Sequence, residues 1–226
     1  MPLEPDKFMS YAEAVEIQEQ LASRISRDNY VKRPRYIAGV DISARRGQET
    51  AAASIVVLKY PELEVVEARV ARGKLDFPYI PGLLSFREIP LTLAAYKMLS
   101  IRPDLIMVDG QGIAHPRRIG LASHLGLVLN TPTIGCAKSL LCGSCGTPGN
   151  ETGNYARIVE NGETIGAALR TRPGVKPVFI SIGHKISFQA TIRWVLRCGK
   201  GYRIPEPTRL AHMSAKDSSA LETARA

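Results

Sequence analysis

Acidic residues are missing from two long stretches of this chain. Residues 110–150 contain no Asp or Glu, and neither do residues 170–203, which carry eight Lys or Arg. Over all 226 residues, 30 Lys plus Arg face 21 Asp plus Glu, giving a net charge of +9 and a pI of about 9.6. With so little local compensation a cationic surface is expected, and its natural partner is a polyanion. No basic amphipathic helix stands out and no run of about 18 apolar residues occurs, so nucleic acid suits this charge better than a membrane. No basic segment followed by an apolar one opens the chain, so no signal peptide is read and a cytoplasmic protein is expected. Cysteine is scarce: Cys136, Cys142, Cys145 and Cys198 are too few for a disulfide scaffold and fit reduced thiols.

What is present is ordinary globular material, 45% hydrophobic and 23% charged, which excludes disorder and collagen as the main architecture. There are no internal repeats and no low-complexity tract. The length points to a single domain over 1–226, with a core over about 10–215 and a C-terminal tail from about 216 that need not be ordered.

Periodicity predicts a first helix over 10–27, opened by Ser10 and Glu13 at capping-box spacing, with Tyr11, Val15, Gln18, Ala22 and Ile25 near one face. Strands are expected over 36–42, 52–60 and 63–71. Their short connections, one a turn containing Gly47 and the other Pro61-Glu62, argue an antiparallel meander. Residues 73–90 read as a loop leading into a helix near 91–99. Apolar strands at 105–108 and 133–136, with a helix over 117–129 between them, imply parallel strands with helical crossovers. Asn161-Gly162 between 155–159 and 164–170 is a hairpin signal. A short strand at 178–182 and helices over 187–198 and 208–221 complete an α/β mixed sheet flanked by helices.

The chemistry is concentrated in carboxylates. Asp41 and Asp109 each follow an apolar strand, and a charge placed there is costly unless paired or bound to a cation. On neighbouring strands the two would repel, and Mg²⁺ or Mn²⁺ is the usual remedy for clustered oxygen ligands. Glu88 is placed to complete a triad. The competing explanation is that each Asp caps a local turn. His212, in the last helix, gains meaning only if that helix returns to the carboxylates.

Two nucleotide motifs fail. Gly110-Gln111-Gly112 follows a strand, but His115 occupies the third glycine position of a dinucleotide fingerprint. Gly135-Cys136-Ala137-Lys138-Ser139 lacks the glycine before lysine of a P-loop. A lone Cys142-Gly143-Ser144-Cys145 is a weak signal for zinc or redox work.

Four segments together resemble the endonuclease V family of deoxyinosine 3′-endonucleases: residues 39–43 (GVDIS), 77–88 (FPYIPGLLSFRE), 108–117 (VDGQGIAHPR) and 136–139 (CAKS), with an echo at 174–177 and 183–187. The resemblance spans about 10–215 and implies a ribonuclease-H-like fold. It also implies a Mg²⁺ cofactor, with Mn²⁺ expected to substitute, held by Asp41, Glu88 and Asp109. Lys138 and His212 join these as catalytic residues, Lys138 at the scissile phosphate and His212 beside the metal site. Pro78, Tyr79, Ile80 and Pro81 resemble a strand-separating wedge, although a Pro-flanked tyrosine packed on the core would read the same. A base pocket is implied at Leu84, Gly110, Gly112 and Gly120, where glycines let backbone approach a ligand and also suit a helix-entry turn. His115 and Arg117 are expected to contact DNA or support that pocket. The loop 141–154 departs from the family pattern.

The implied activity is hydrolysis of the second phosphodiester bond 3′ to deoxyinosine, leaving a 3′-OH and a 5′-phosphate in damaged DNA, by a monomer. Competing expectations are an inosine-specific endoribonuclease on the same scaffold, a junction resolvase, and a non-catalytic basic nucleic-acid-binding protein.

Overall fold

A computed structural model describes residues 10–44 and 50–217. The Gly47 turn and the tail beyond residue 217 lie outside the described residues. The chain opens with α1 (Tyr11–Ala22), which carries the expected capping box between Ser10 and Glu13 and ends at Ser23, short of residue 27. Then β1 (Tyr36–Ala44), β2 (Thr50–Lys59) and β3 (Glu64–Lys74) form the antiparallel meander. After α2 (Leu84–Lys97) comes β4 (Leu105–Val108), parallel to β1. After α3 (Leu121–Leu129) comes β5 (Thr133–Ala137), parallel to β4.

The hairpin of β6 (Tyr155–Glu160) and β7 (Glu163–Leu169) turns at Asn161-Gly162, both at positive φ as a two-residue hairpin turn requires. Interior strand β8 (Val178–His184) pairs antiparallel with β5 and β7, and α4 (Phe188–Arg197) and α5 (Glu206–Lys216) close the fold. The eight strands run β3-β2-β1-β4-β5-β8-β7-β6.

Alternation along the strands builds two cores. Ile37, Leu105 and Met107 face Trp194, Val195, Leu210 and Ala211 on one side of the sheet. Ala38, Val40, Ile106 and Val108 face Ile89, Ala95, Ala122 and Leu125 on the other. Coverage of both faces explains why β4, and β2 apart from Ser54, read as apolar runs. Among the described residues no helix is long and apolar enough to cross a membrane.

Three helix starts differ from expectation by two residues or more, and α5 ends at Lys216 rather than near residue 221. Helix α2 begins at Leu84, inside the segment read as loop, and carries Pro90 within it. Burial of Ser85, Ile89, Leu91, Thr92 and Ala95 against the sheet outweighs the hydrogen bond that Pro90 cannot donate. Helix α3 starts at Leu121 rather than residue 117, because Arg118 has a positive φ and Gly120 is the extended N-cap. Helix α5 starts two residues early, with Pro207 in its first turn, where a missing N–H costs nothing.

Candidate active site

The parallel pairing of β1 with β4 sets Val40 opposite Val108, and the Asp109 N–H donates to the Val40 carbonyl at 2.9 Å. Asp41 and Asp109 are therefore neighbours by register. Helix α5 crosses the same region because residue 39 is glycine: a Cβ there would fall 1.8 Å from the Pro207 carbonyl oxygen. That close approach brings His212 over Asp41, with Nδ1 2.7 Å from Oδ2. Ligand atoms of Asp41, Asp109 and His212 all lie within 4.8 Å of one another. The turn-cap explanation for two isolated aspartates does not account for this cluster.

Lys138, just after β5, sets its ammonium on Asp109 Oδ2. Glu88 is not among the three clustered groups; it sits on α2 and lines an adjoining cavity beside Asp109. Burial, then the negative charge of Asp41 and, more weakly, of Asp109, push the Glu88 carboxyl up to about 7, against the pull of Arg87. Burial and Asp109 likewise raise Asp41, opposed by the hydrogen bond from His212. Burial and mutual repulsion thus disfavour the ionised carboxylates when no cation is bound to them. Oxygen-rich donors in that condition fit a hard divalent cation, with Asp41 and Asp109 as its natural ligands and Glu88 and His212 beside them.

The cavity holds about 390 Å³ and is bounded by Tyr79, Leu84, Gly110, Gly120, Lys138 and Leu141, among others. Leu84, Gly110 and Gly120 are three of the four residues expected at a base pocket. Gly112 does not line it. Its N–H donates to Ser181 Oγ at 2.8 Å, and a Cβ would fall 2.0 Å from the Ile182 carbonyl oxygen, so this glycine serves packing against β8.

Tyr79 is 71% exposed on the cavity rim, which overturns the alternative of a tyrosine packed on the core. The Leu83 N–H donates to the Ile80 carbonyl across Pro81-Gly82, and Gly82 has φ +81°, the form of a type II turn.

His115 and Arg117 do not form a free DNA-facing pair. His115 is buried, accepts the Arg117 N–H at Nδ1 (3.2 Å) and places Nε2 3.1 Å from the Gly82 carbonyl, so its proton belongs on Nε2. Burial and the Arg117 charge lower its pKa to about 4, keeping the ring neutral. Arg117 donates to the same carbonyl at 2.8 Å and to Gln18 Oε1 at 2.5 Å. Of the two roles expected for this pair, support of the pocket wall is the one the contacts fit.

Sequence reasoning missed Gln18, Gly82 and Arg87, which donates to the Phe77 carbonyl and ties the start of the Tyr79 loop. Pro81-Gly82 was a legible turn signal; the partners of Gln18 and Arg87 were not. Cys142 and Cys145 are half-buried free thiols near Ile158 and Ile165, and neither joins a three-ligand metal cluster among the described residues.

A mixed sheet of this order is ribonuclease-H-like, and carboxylates gathered at its parallel strand ends suit the hydrolysis of phosphodiesters, the work of a nuclease. Comparison with known proteins agrees. The family model described as Endonuclease V matches residues 19–213. Endonuclease V of Dictyoglomus turgidum is 49% identical over 210 residues, covering 93% of this chain and 91% of that protein. The crystal structure of Endonuclease V from Streptomyces avermitilis superposes with a TM-score of 0.89 at 40% identity, covering 99% of this chain and 98% of the other. Endonuclease V of Ciona intestinalis, solved with a 23mer DNA containing an inosine followed by a ribo-adenosine, has a TM-score of 0.79 at 33% identity, over 94% and 97% of the two chains. This chain belongs to the endonuclease V family.

Proposed function

We propose that this nuclease acts in DNA repair, binding deoxyinosine in the 390 Å³ cavity and hydrolysing the second phosphodiester bond on its 3′ side with Mg²⁺. The observation that carries the proposal is the adjacency of that cavity to the Asp41, Asp109 and His212 cluster, with Lys138 on the wall between them. A divalent ion held by Asp41, Asp109 and Glu88 would supply Lewis-acid polarisation of a phosphoryl oxygen and a more acidic water. The protein's own groups do the rest. Lys138 exchanges its contact with Asp109 for a phosphate oxygen, offsetting charge that develops there. His212, bonded to Asp41, orients that carboxylate and is within reach to hold a water.

Tyr79 supports lesion exposure: an exposed ring on a proline-stiffened loop can stack where a base has left the duplex. The extruded hypoxanthine would present an O6 acceptor and an N1–H donor to the wall that Leu84, Gly110 and Gly120 help to form. A tight wall would exclude the 2-amino group of guanine. Such a protein is expected to work as a monomer in the cytoplasm.

The second reading, cleavage of inosine-containing RNA, is favoured by one observation: the substrate held by the Ciona protein carries a ribo-adenosine after its inosine. A strand-mapped cleavage assay separates the two. Duplex DNA with one deoxyinosine and a matched inosine RNA are each incubated with Mg²⁺ and with EDTA, beside Asp41→Ala. A Mg²⁺-dependent nick at the second bond 3′ to deoxyinosine, absent in the variant, is expected. Preferential cleavage of RNA would move the assignment to the ribonuclease, and binding without cleavage of either strand would remove the enzymatic one.

A further inference from the structure

We infer that Gln18, on α1 and away from the cavity, is a positioning residue for the Tyr79 loop, acting through the carbonyl of Gly82. Three side-chain donors converge on that oxygen: Gln18 Nε2 at 3.0 Å, His115 Nε2 at 3.1 Å and Arg117 Nη2 at 2.8 Å. Gln18 is fully buried, and its other amide atom accepts the Arg117 Nε–H at 2.5 Å. The orientation of the amide is forced, since arginine only donates and a carbonyl only accepts. Both halves of Gln18 are therefore committed to the support of one turn.

That turn is where the loop ends. At its other end Arg87 holds the Phe77 carbonyl. Between these ties run Pro78, Tyr79, Ile80 and Pro81, with the Tyr79 ring in solvent at the cavity rim. An exposed aromatic on an untied loop would lose conformational freedom on entering DNA. Held at both ends and stiffened by two prolines, it has little left to lose, and binding is stronger for that. The arrangement also explains a polar residue in the buried stripe of α1: a plain docking helix would place an apolar side chain there, and an unpartnered buried amide would be destabilising. Gly82 completes the device, because with φ +81° a Cβ would fall 2.9 Å from Arg117 Nη2.

The inference rests on the wedge role proposed for Tyr79, and the test keeps the two apart. Wild type, Gln18→Met, Gln18→Glu and Tyr79→Ala are bound in EDTA to a deoxyinosine duplex carrying 2-aminopurine beside the lesion, whose fluorescence rises on unstacking. Cleavage is then followed with Mg²⁺ on the duplex and on the same lesion in single-stranded DNA, where no pair needs opening. Gln18→Met, similar in length but without hydrogen bonds, is expected to weaken duplex binding about tenfold through KM with kcat nearly kept. The fluorescence rise should shrink, and the single-stranded substrate should lose far less. Gln18→Glu retains the acceptor for Arg117 but sets a carboxylate against the Gly82 carbonyl, so it should fail alongside Gln18→Met. If Gln18→Met does not fold, Arg117→Lys, which cannot fork between Gln18 and Gly82, carries the same expectation. Equal losses on both substrates, or a full fluorescence rise in Gln18→Met while Tyr79→Ala abolishes it, would overturn the positioning role. An unchanged signal in Tyr79→Ala would instead overturn the wedge itself, and the inference with it.

Discussion

His212 and Asp41, 171 residues apart in sequence, meet at 2.7 Å between Nδ1 and Oδ2. The contact orients a carboxylate that stands next to Asp109. Removing such an outer partner typically lowers metal affinity or activity by about 10- to 100-fold. His212→Ala is therefore expected to cleave more slowly and to need more Mg²⁺, with the thermal midpoint little changed. A metal titration of the cleavage rate checks this, and wild-type behaviour would show the contact to be incidental.

Gly39 sets the distance at which α5 crosses β1. Gly39→Ala would drive a methyl into the Pro207 carbonyl, and overpacking of this kind costs about 1–3 kcal/mol. The variant should unfold at lower denaturant and lose cleavage by displacing His212 from Asp41. Retained activity in a folded Gly39→Ala would mean that α5 tolerates a shift the active site does not feel.

Lys138 sets its ammonium against the Asp109 carboxylate. Lys138→Met removes a competitor for the site, so a divalent cation should bind more tightly, read by calorimetry. Cleavage at saturating cation should nonetheless fall, because the phosphate loses its ammonium. A parallel fall in both quantities would place Lys138 among the groups that hold the metal site together rather than those that meet the phosphate.

Glu88 gives a signed pH dependence. Its carboxyl is raised from 4.5 to about 7 in the folded chain, so between those values the folded state binds more protons than the unfolded state. Stability from this group is fully present below about 4.5 and falls as pH rises through 7, by up to about 1.4 kcal/mol per pH unit. His115 and His124, lowered to about 4 by burial, gain stability over part of this range and oppose Glu88, so the readout is a difference: in EDTA the thermal midpoint of Glu88→Gln should rise relative to that of the wild type from pH 5 to pH 8. A difference between the two midpoints that stays constant across this window would contradict the origin assigned to the shift.

Much of this protein was determined locally and so could be read from its sequence. The meander, the Asn161-Gly162 hairpin and the two parallel strands follow from alternation, turn chemistry and apolar runs. The adjacency of Asp41 and Asp109 follows once their strands are neighbours. What only the tertiary structure decided are relationships between segments far apart in the chain. No periodicity reveals that α5 returns to β1 over a glycine, or that Gln18 faces the Gly82 carbonyl. The same holds for Gly112, which packs under β8 while Gly110, two residues away, borders the cavity. Helix α2 belongs with these: Pro90 and the glycine and prolines before it signal a loop, and burial against the sheet makes a helix. Local propensity amounts to fractions of a kcal/mol per residue, and long-range burial and close backbone approach outweigh it wherever they act.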